Sequence, residues 1–183
     1  MTDLSIEKLA RTHAVDAFDC GQEALNRFLT RFALLNQQAN ASQTYVGLAA
    51  DVVIGFYTLV VSEVAYADAP DRLKKGLARH PVPLMLLARL AVSTAFKGRG
   101  VGAGLLKDAM LRTRQAAEIG GIRALAAHAK DDAARTFYEH FGFMASSKNE
   151  VKAFHAAAIA NGASDDGAPG PRDEYGEPYF GCF

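Results

Sequence analysis

The first strong pattern of apolar and polar positions lies near the N-terminus and predicts a helix. Leu25, Phe28, Phe32 and Leu35 recur at i, i+3, i+7 and i+10, which places them on one face of a helix over roughly 22–38. We therefore expect these four side chains to pack against the core.

Two runs of aromatic and β-branched residues follow, Thr44–Ala49 and Val52–Glu63. Because only Ala50 and Asp51 separate them, we expect an antiparallel hairpin. A basic connector over 71–79 comes next and has room for one helical turn.

The central part of the chain combines a buried strand with a glycine-rich loop. The apolar run Leu84–Val92, interrupted only by Arg89, is typical of a central strand covered on both faces. The loop Lys97–Gly104 then opens a helix that ends at Gly120 and Gly121.

A strand and a helix complete the predicted elements. Ile122–Ala129 predicts a strand, and Asp131 or Asp132 can N-cap a helix through His140, with Gly142 just past its end. Together the elements predict an α+β fold, with a mixed sheet whose centre lies near residues 84–129.

The glycine-rich loop has the composition of a phosphate-binding site. Glycines let backbone N–H groups approach a ligand, the following helix adds partial positive charge, and Lys97 and Arg99 add full charges. A Walker loop is excluded because Gly104 is followed by Leu-Leu rather than Lys-Ser/Thr. A dinucleotide fingerprint is excluded because Ser93–Phe96 separate the loop from its strand.

Three motifs together resemble the GNAT family of N-acetyltransferases. Lys97-x-x-Gly100-x-Gly102 resembles the Gln/Arg-x-x-Gly-x-Gly/Ala loop with which that family holds the pyrophosphate of acetyl-CoA. Arg89-Leu-Ala-Val stands where the family's fourth strand receives the pantetheine arm. Ala133 through Phe143 is similar to the family's alanine–tyrosine–glycine–phenylalanine motif. The resemblance implies a GNAT fold, with a mostly antiparallel sheet flanked by helices, and acetyl-CoA as co-substrate without a metal.

The resemblance narrows to the toxin branch of this family and covers about residues 4–143. The segments that carry it are Phe18-Asp-Cys-Gly, Leu25-Asn-Arg-Phe-Leu, Pro81-Val-Pro-Leu, Arg89-Leu-Ala-Val and Ala129-Lys-Asp-Asp-Ala. Those toxins acetylate the α-amine of aminoacyl-tRNA, which blocks translation, and pair with a ribbon–helix–helix antitoxin. The resemblance therefore implies an RNA substrate and an antitoxin partner, and we expect a homodimer.

Candidate site residues follow from these motifs. Tyr138 is the expected acid that protonates the CoA sulfur, and its structural alternative is one more aromatic on the face of Phe141. Arg89 is expected to contact substrate RNA, its alternative being a structural ion pair. Backbone N–H groups near Ala91–Val92 are expected to contact the oxyanion. The expected acetyl-CoA contacts are Leu90, Ala91, Val92, Lys97, Gly98, Arg99, Gly100, Val101, Gly102 and Ala103, and the expected RNA contacts beside Arg89 are Arg72, Lys74, Lys75 and Arg79.

No residue stands out as a general base; His80 and His128 are possible bases, and the alternative for each is a structural or surface role. A lysine side chain with a pKa of about 10.4 needs deprotonation, whereas an α-amine with a pKa of about 7.7–8.0 is already partly neutral at pH 7. The missing base therefore favours an α-amine substrate.

Charge is distributed unevenly although the formal net charge is zero. Residues 1–148 contain 18 basic and 14 acidic residues (+4), and residues 149–183 contain 2 and 6 (−4). Within 72–135 the count is 13 against 4, or +9, so the zero does not argue against an RNA partner. We expect 1–148 to form the acetyltransferase domain. We expect 149–183 to be a divergent, acidic and disordered or loosely docked tail, which leaves the last strand of the sheet unplaced.

The remaining composition indicates a cytoplasmic protein. Cys20 and Cys182 show no metal or redox spacing and are expected to be reduced. The N-terminus lacks the features of a signal peptide, and Val52–Val61, the longest nearly apolar run, is half the length of a membrane span.

Two other functions stay open at this point. An acetyltransferase of a small polyamine, an aminoglycoside or a protein N-terminus would carry acidic residues around the acceptor site. A catalytically impaired, antitoxin-binding subunit would bind acetyl-CoA without releasing thiol.

Overall fold

The computed structural model describes residues 4–142, 170–171 and 180–181 of the 183-residue chain. The chain divides into two units, one formed by residues 1–69 with 77–127 and the other by 70–76 with 128–183. The predictions for the acidic tail and for the last strand of the sheet lie almost wholly outside the described residues.

The first unit is built on a five-stranded sheet with the order β1-β2-β3-β4-β5. Neighbours among the first four strands are antiparallel, and β5 is parallel to β4, which confirms a mixed, mostly antiparallel sheet. The strands are β1 (Ser5–Lys8), β2 (Gln43–Ala49), β3 (Val52–Val64), β4 (Val82–Val92) and β5 (Ala124–Ala127).

The predicted centre of the sheet, near 84–129, is wrong for the strands that the structure describes. The middle strand is β3, and β5 lies at one end. The difference arises because β1, a four-residue strand with mostly exposed side chains, extends the sheet beyond β2. A strand that short and that polar carries no periodic signal in the sequence.

The predicted hairpin between β2 and β3 is confirmed. Ala50 and Asp51 have φ values of 46° and 65°, and a two-residue type I′ turn requires a positive φ at both positions. β2 pairs with the first half of β3, from Val52 to Leu59.

The predicted helix near 22–38 is confirmed in extent, but its apolar face is wrong in the second half. It consists of α1 (Glu23–Arg27), a π-helical turn (Phe28–Phe32) and α2 (Ala33–Gln38). The wider π-helical turn shifts the register of side chains that face the sheet. Phe28, Leu29 and Ala33 are therefore buried, whereas the side chains of Phe32 and Leu35 are 46% and 61% exposed.

The remaining helices follow the prediction closely. They are α3 (Asp71–Lys74), α4 (Val101–Gly120) and α5 (Asp132–His140), and a 3₁₀ turn (Thr94–Phe96) precedes α4. The glycine-rich loop is shorter than predicted, because α4 begins at Val101 and so contains Gly102 and Gly104. Gly121 ends α4 with a left-handed φ of 68°. Two short strands in the second unit, β6 (Gly170–Pro171) and β7 (Phe180–Gly181), pair antiparallel.

The core of the first unit lies between the sheet and the α1–α2 segment. Phe56 of β3 contacts Phe18 edge-on and stacks on Phe28, with ring centroids 5.5 and 6.2 Å apart. Ala91 of β4 lies in the same buried cluster. Among the described residues no helix is long and apolar enough to cross a membrane.

Candidate active site

Strand β4 loses its parallel neighbour halfway along its length. Leu84–Leu87 pair with Ala124–Ala127, and the described ladder between β4 and β5 ends there. The antiparallel ladder with β3 continues on the other side as far as Val92. Within the part of the chain that the structure describes, residues 88–92 therefore have one open edge, at the place where the sequence predicts the acetyl-CoA contacts.

A β-bulge lies at the same point. Leu87 pairs with Leu59 and Arg89 pairs with Thr58, so Ala88 is an extra residue in β4. Bulges bend a strand and increase its local twist. The bulge thus coincides with the position at which β4 and β5 cease to pair.

The backbone of Leu90 and Val92 faces the open edge. The Ser93 amide donates a hydrogen bond to the Ile54 carbonyl at 2.9 Å. Because inward and outward N–H groups alternate along an antiparallel strand, the Ala91 amide also points to β3, and those of Leu90 and Val92 point away from it. Of the two amides expected to contact an oxyanion, Val92 has the suitable direction and Ala91 does not.

The N-terminus of α4 presents a second set of backbone donors. Gly98 and Gly100 have φ values of 73° and 78°, which non-glycine residues rarely adopt. Gly100 caps the helix without a side-chain hydrogen bond, and the first helical bond runs from the Gly104 amide to the Gly100 carbonyl. The amides of Val101, Gly102 and Ala103 thus have no partner within the helix, which is the arrangement that binds phosphate at helix N-termini.

Two glycines in neighbouring strands let α4 approach the sheet closely. Gly47 of β2 pairs with Gly55 of β3, which in turn pairs with Val92. A Cβ atom on Gly55 would lie 2.8 Å from Leu105 Cδ1 and 3.0 Å from the Ala91 carbonyl oxygen. The start of α4 is therefore seated on the strands beside the open edge only because these side chains are absent.

A polar cluster fastens the middle of α4 to the same face. The Tyr57 hydroxyl and the Arg112 Nε both donate to Asp108 Oδ2, at 2.5 and 2.8 Å. The Arg112 guanidinium lies 4.0 Å from the centroid of the Tyr45 ring, which stacks on Tyr57. Burial, followed by the hydrogen bond to Asp108, raises the pKa of Tyr57, so its hydroxyl stays protonated.

Arg89 lies on the opposite face of the sheet, against the π-helical turn. Its guanidinium is 3.7 Å from the centroid of the Phe28 ring, a cation–π contact. Burial lowers its pKa. Within the described part of the chain no carboxylate lies within 4.0 Å of Arg89, so Phe28, and not an ion pair, supports the charge there. No local pattern in the sequence indicates this role of Phe28, because the contact joins residues 61 positions apart.

The two cations of the glycine-rich loop have different surroundings. Arg99 is exposed and lies 5.2 Å from the centroid of the Phe96 ring. Lys97 Nζ donates a hydrogen bond to the Cys20 carbonyl at 3.0 Å. The Lys97 ammonium thus contacts the 18–21 segment through one of its three N–H donors.

The second unit contains Tyr138, on α5. The Asp131 side chain accepts a hydrogen bond from the Ala134 amide at 2.8 Å, which confirms the predicted N-cap. The Tyr138 ring lies edge-on to Phe137, and burial raises the pKa of its hydroxyl, which therefore stays protonated at neutral pH.

The connector cations are divided between the units. Lys74 and Lys75 belong to the second unit together with the backbone of Arg72, and Arg79 belongs to the first. Lys74 forms an ion pair with Asp71 at 3.4 Å, and Arg79 is exposed.

In the described part of the chain no three His, Cys, Asp or Glu side chains are grouped so that they could hold a metal ion.

The site thus combines an open edge on β4 with a helix N-terminus whose first three amides have no partner within the helix. Comparison with known families agrees with this arrangement: the acetyltransferase (GNAT) domain matches residues 40–145. The chain belongs to the GNAT acetyltransferase family. As a member of that family it is an N-acetyltransferase, and the predicted fold class and enzyme class are confirmed.

Relatives of this GNAT protein include named toxins. It is 43% identical over 129 residues to the tRNA-acetylating toxin of Mycobacterium tuberculosis. The aligned region covers 70% of this chain and 77% of that protein. It is 29% identical over 113 residues to a probable toxin TacT of Sinorhizobium fredii. That aligned region covers 60% of this chain and 62% of the S. fredii protein.

Solved structures of similar fold include AtaT complexed with acetyl-methionyl-tRNAfMet. The TM-score is 0.73 at 32% identity, and the match covers 78% of this chain and 87% of that one. A crystal structure of AtaTR bound with acetyl-CoA matches with a TM-score of 0.68 at 33% identity, over 79% and 87%.

Proposed function

We propose that this GNAT protein is a toxin that transfers the acetyl group of acetyl-CoA to the α-amine of aminoacyl-tRNA and thereby blocks translation. The observation that carries the proposal is the 43% identity to a tRNA-acetylating toxin over 129 residues. The similarity to AtaT, solved with an acetylated aminoacyl-tRNA, points to the same substrate class.

Backbone groups would hold the donor at two places. The amides of Val101, Gly102 and Ala103, with the nearby charge of Arg99, suit the pyrophosphate. The outward amides of Leu90 and Val92 suit the pantetheine arm and the thioester oxygen.

Acetyl-CoA supplies the activated acetyl group, and the protein's residues manage charge and protons. The neutral amine attacks the thioester carbonyl, so that a C–N bond forms and the C–S bond breaks. The Val92 amide stabilises negative charge on the carbonyl oxygen. We assign Tyr138 as the acid that protonates the departing thiolate, because it occupies the tyrosine position of the family motif and its hydroxyl carries a proton at neutral pH. The attacking nitrogen loses one proton to solvent from the tetrahedral intermediate, and solvent returns a proton to the Tyr138 phenolate, so that the products are the N-acetylated amide and the thiol of coenzyme A.

Basic residues would bind the RNA. Arg89 lies one residue before the 90–92 segment of β4, and its guanidinium is supported by the Phe28 ring. It is the candidate residue for contact with the acceptor end of the tRNA. Arg72, Lys74, Lys75 and Arg79 are candidates for phosphates further along the RNA. The +9 balance of residues 72–135 favours a polyanionic substrate over a cationic amine.

The proposal extends to partners, location and domain limits. Solved structures of AtaT with the C-terminus of the antitoxin AtaR support an antitoxin partner, for which we propose the ribbon–helix–helix class. We further propose a homodimer, a cytoplasmic location where aminoacyl-tRNA occurs, and an acetyltransferase domain over 1–148 followed by an acidic tail over 149–183.

Incubation of the full chain with radiolabelled acetyl-CoA and charged total tRNA tests the proposal. The wild type should produce acetyl-aminoacyl-tRNA, and Tyr138→Phe should lower the rate about 100-fold or more, since general acid catalysis contributes about 10²–10⁴. Tyr66→Phe, a change of the same kind in the turn after β3, should retain wild-type activity.

Two results would contradict the proposal. Acetylation of spermidine, an aminoglycoside or a peptide N-terminus without acetylation of charged tRNA would support the small-amine enzyme. Binding of acetyl-CoA with no thiol release under any condition would support the antitoxin-binding subunit.

A further inference from the structure

Lys97, the first residue of the glycine-rich loop, connects that loop to a distant turn of the chain. Its Nζ donates to the Cys20 carbonyl at 3.0 Å, and the Thr94 amide donates to the Asp19 carbonyl at 2.9 Å. A Cβ atom on Gly21 would lie 3.4 Å from Thr94 Cγ2 and 3.9 Å from Lys97 Nζ. The turn over 19–21 therefore rests directly on residues 94–97.

Asn26, at the end of the first turn of α1, holds the other side of the same turn. Its Nδ2 donates to Asp19 Oδ1 at 2.8 Å, and its Oδ1 accepts from the Cys20 amide at 3.0 Å. Asp19 Oδ1 also accepts from the Gly21 amide at 2.8 Å. These bonds keep the turn compact although Gly21 has a φ of 77°.

The network thus spans the distance between the two halves of the proposed site. On one side the network ends at Lys97, one residue before Gly98 of the glycine-rich loop (the donor loop). On the other it ends at Asn26, two residues before Phe28, whose ring supports Arg89. The backbone hydrogen bond between Thr94 and Asp19 joins the same two sides, and Lys97 adds a side-chain contact to it.

We propose that Lys97 is a positioning residue that fixes α1, and with it Phe28 and Arg89, against the donor loop, rather than a ligand of the acetyl-CoA pyrophosphate. The inference rests on the proposed function, because it assigns the α1 side to the acceptor RNA. The Cys20 carbonyl holds the Lys97 ammonium at the turn over 19–21, and the loop amides with Arg99 supply other donors for the phosphate.

A comparison of donor binding with turnover separates the two roles. Calorimetry of Lys97→Met should give an affinity for coenzyme A within about three-fold of wild type. The rate of acetyl transfer to charged tRNA should fall about ten-fold, with a higher KM for the tRNA. With S-acetylpantetheine, which lacks the pyrophosphate, the rate of acetyl transfer by the variant should fall by the same factor as with acetyl-CoA.

A direct phosphate role predicts the reverse pattern, which would overturn the proposal: coenzyme A affinity falls ten-fold or more, and the defect vanishes with S-acetylpantetheine. Lys8→Met, an exposed lysine on β1, is the matched control and should change neither quantity.

A second variant tests the network itself. Asn26→Ala should reproduce the Lys97→Met pattern, and the double variant should be little worse than either single one, because both loosen the same turn. Hydrogen exchange at the Cys20 and Gly21 amides should rise in both. Additive losses, or unchanged exchange in folded Lys97→Met, would overturn the proposal.

The outcomes also distinguish this inference from the proposed function. If the wild type acetylates no tRNA, the proposed function fails. The coenzyme A affinity and the exchange rates still decide whether Lys97 binds phosphate or holds the turn.

Discussion

The two faces of the five-stranded sheet are built in contrasting ways. The face towards α4 is shaped by missing side chains, because Gly47 and Gly55 allow Leu105 to reach the strands. The face towards α1 and α2 is filled by large ones, because Phe18, Phe28 and Phe56 pack around the core. In the proposed function the first face serves the acetyl donor and the second serves the RNA.

The contrast explains where each half of the site obtains its geometry. Donor contacts come from backbone amides, whose directions are fixed once α4 is seated. The acceptor side depends on a side chain, Arg89, whose position is set by a ring on another element. The first half therefore tolerates changes of exposed side chains but depends on the seating of α4, whereas the second depends on the packing of Arg89 on the Phe28 ring.

The largest expected effect tests the aromatic face. Phe28→Ala should lower the free energy of unfolding by about 3–5 kcal/mol, since it removes a buried ring and leaves a cavity. Urea unfolding followed by circular dichroism measures it. Phe32→Ala, four residues later in the π-helical turn, is the matched control and should cost far less because that ring is 46% exposed. Equal losses would show that the π-helical register is incorrect.

The next effect tests the glycine face. Gly55→Ala should cost about 1–3 kcal/mol of unfolding free energy through overpacking against Leu105 and the Ala91 carbonyl. It should also weaken coenzyme A binding, because the start of α4 must move. Gly120→Ala, where a Cβ atom meets nothing within 4 Å, should leave coenzyme A binding unchanged. Wild-type coenzyme A affinity in Gly55→Ala would show that the close seating of α4 is not needed for the donor.

The smallest effect concerns the polar cluster on α4. Tyr57→Phe should cost about 1–2 kcal/mol, because it removes one hydrogen bond and leaves Asp108 with Arg112 as a partner. Asp108→Asn should cost more, since it weakens both contacts, and thermal unfolding compares them. A Tyr57→Phe loss as large as that of Asp108→Asn would show that the hydroxyl, and not the ion pair, holds α4.

Much of the fold could be predicted because its signals are local. The hairpin turn at Ala50 and Asp51, the C-terminus of α4 at Gly121 and the N-cap at Asp131 each depend on a few neighbouring residues. The face of the α1–α2 segment could not be predicted, because a π-helical turn has no simple sequence signal and shifts the register within one helix.

The candidate site divides in the same way. Its residue types and spacing, from Arg89 through the glycine-rich loop to Tyr138, can be recognised along the chain. The partner of each side chain cannot. Lys97 has the charge expected of a phosphate ligand, yet it bonds to Cys20, 77 positions away in the chain. Arg89 has the charge expected of an ion pair, yet it lies on a ring.

The sequence by itself determined the family, the class of reaction, and the order of helices and strands from α1 to α5, though not the short strand β1, because periodicity, turn chemistry and short motifs are properties of neighbouring residues. Only the tertiary structure decided that the open edge belongs to Leu90 and Val92, that Gly55 makes room for α4, and that Phe28 supports Arg89. These outcomes depend on which distant residues meet, and contacts between distant residues are set by packing rather than by spacing along the chain.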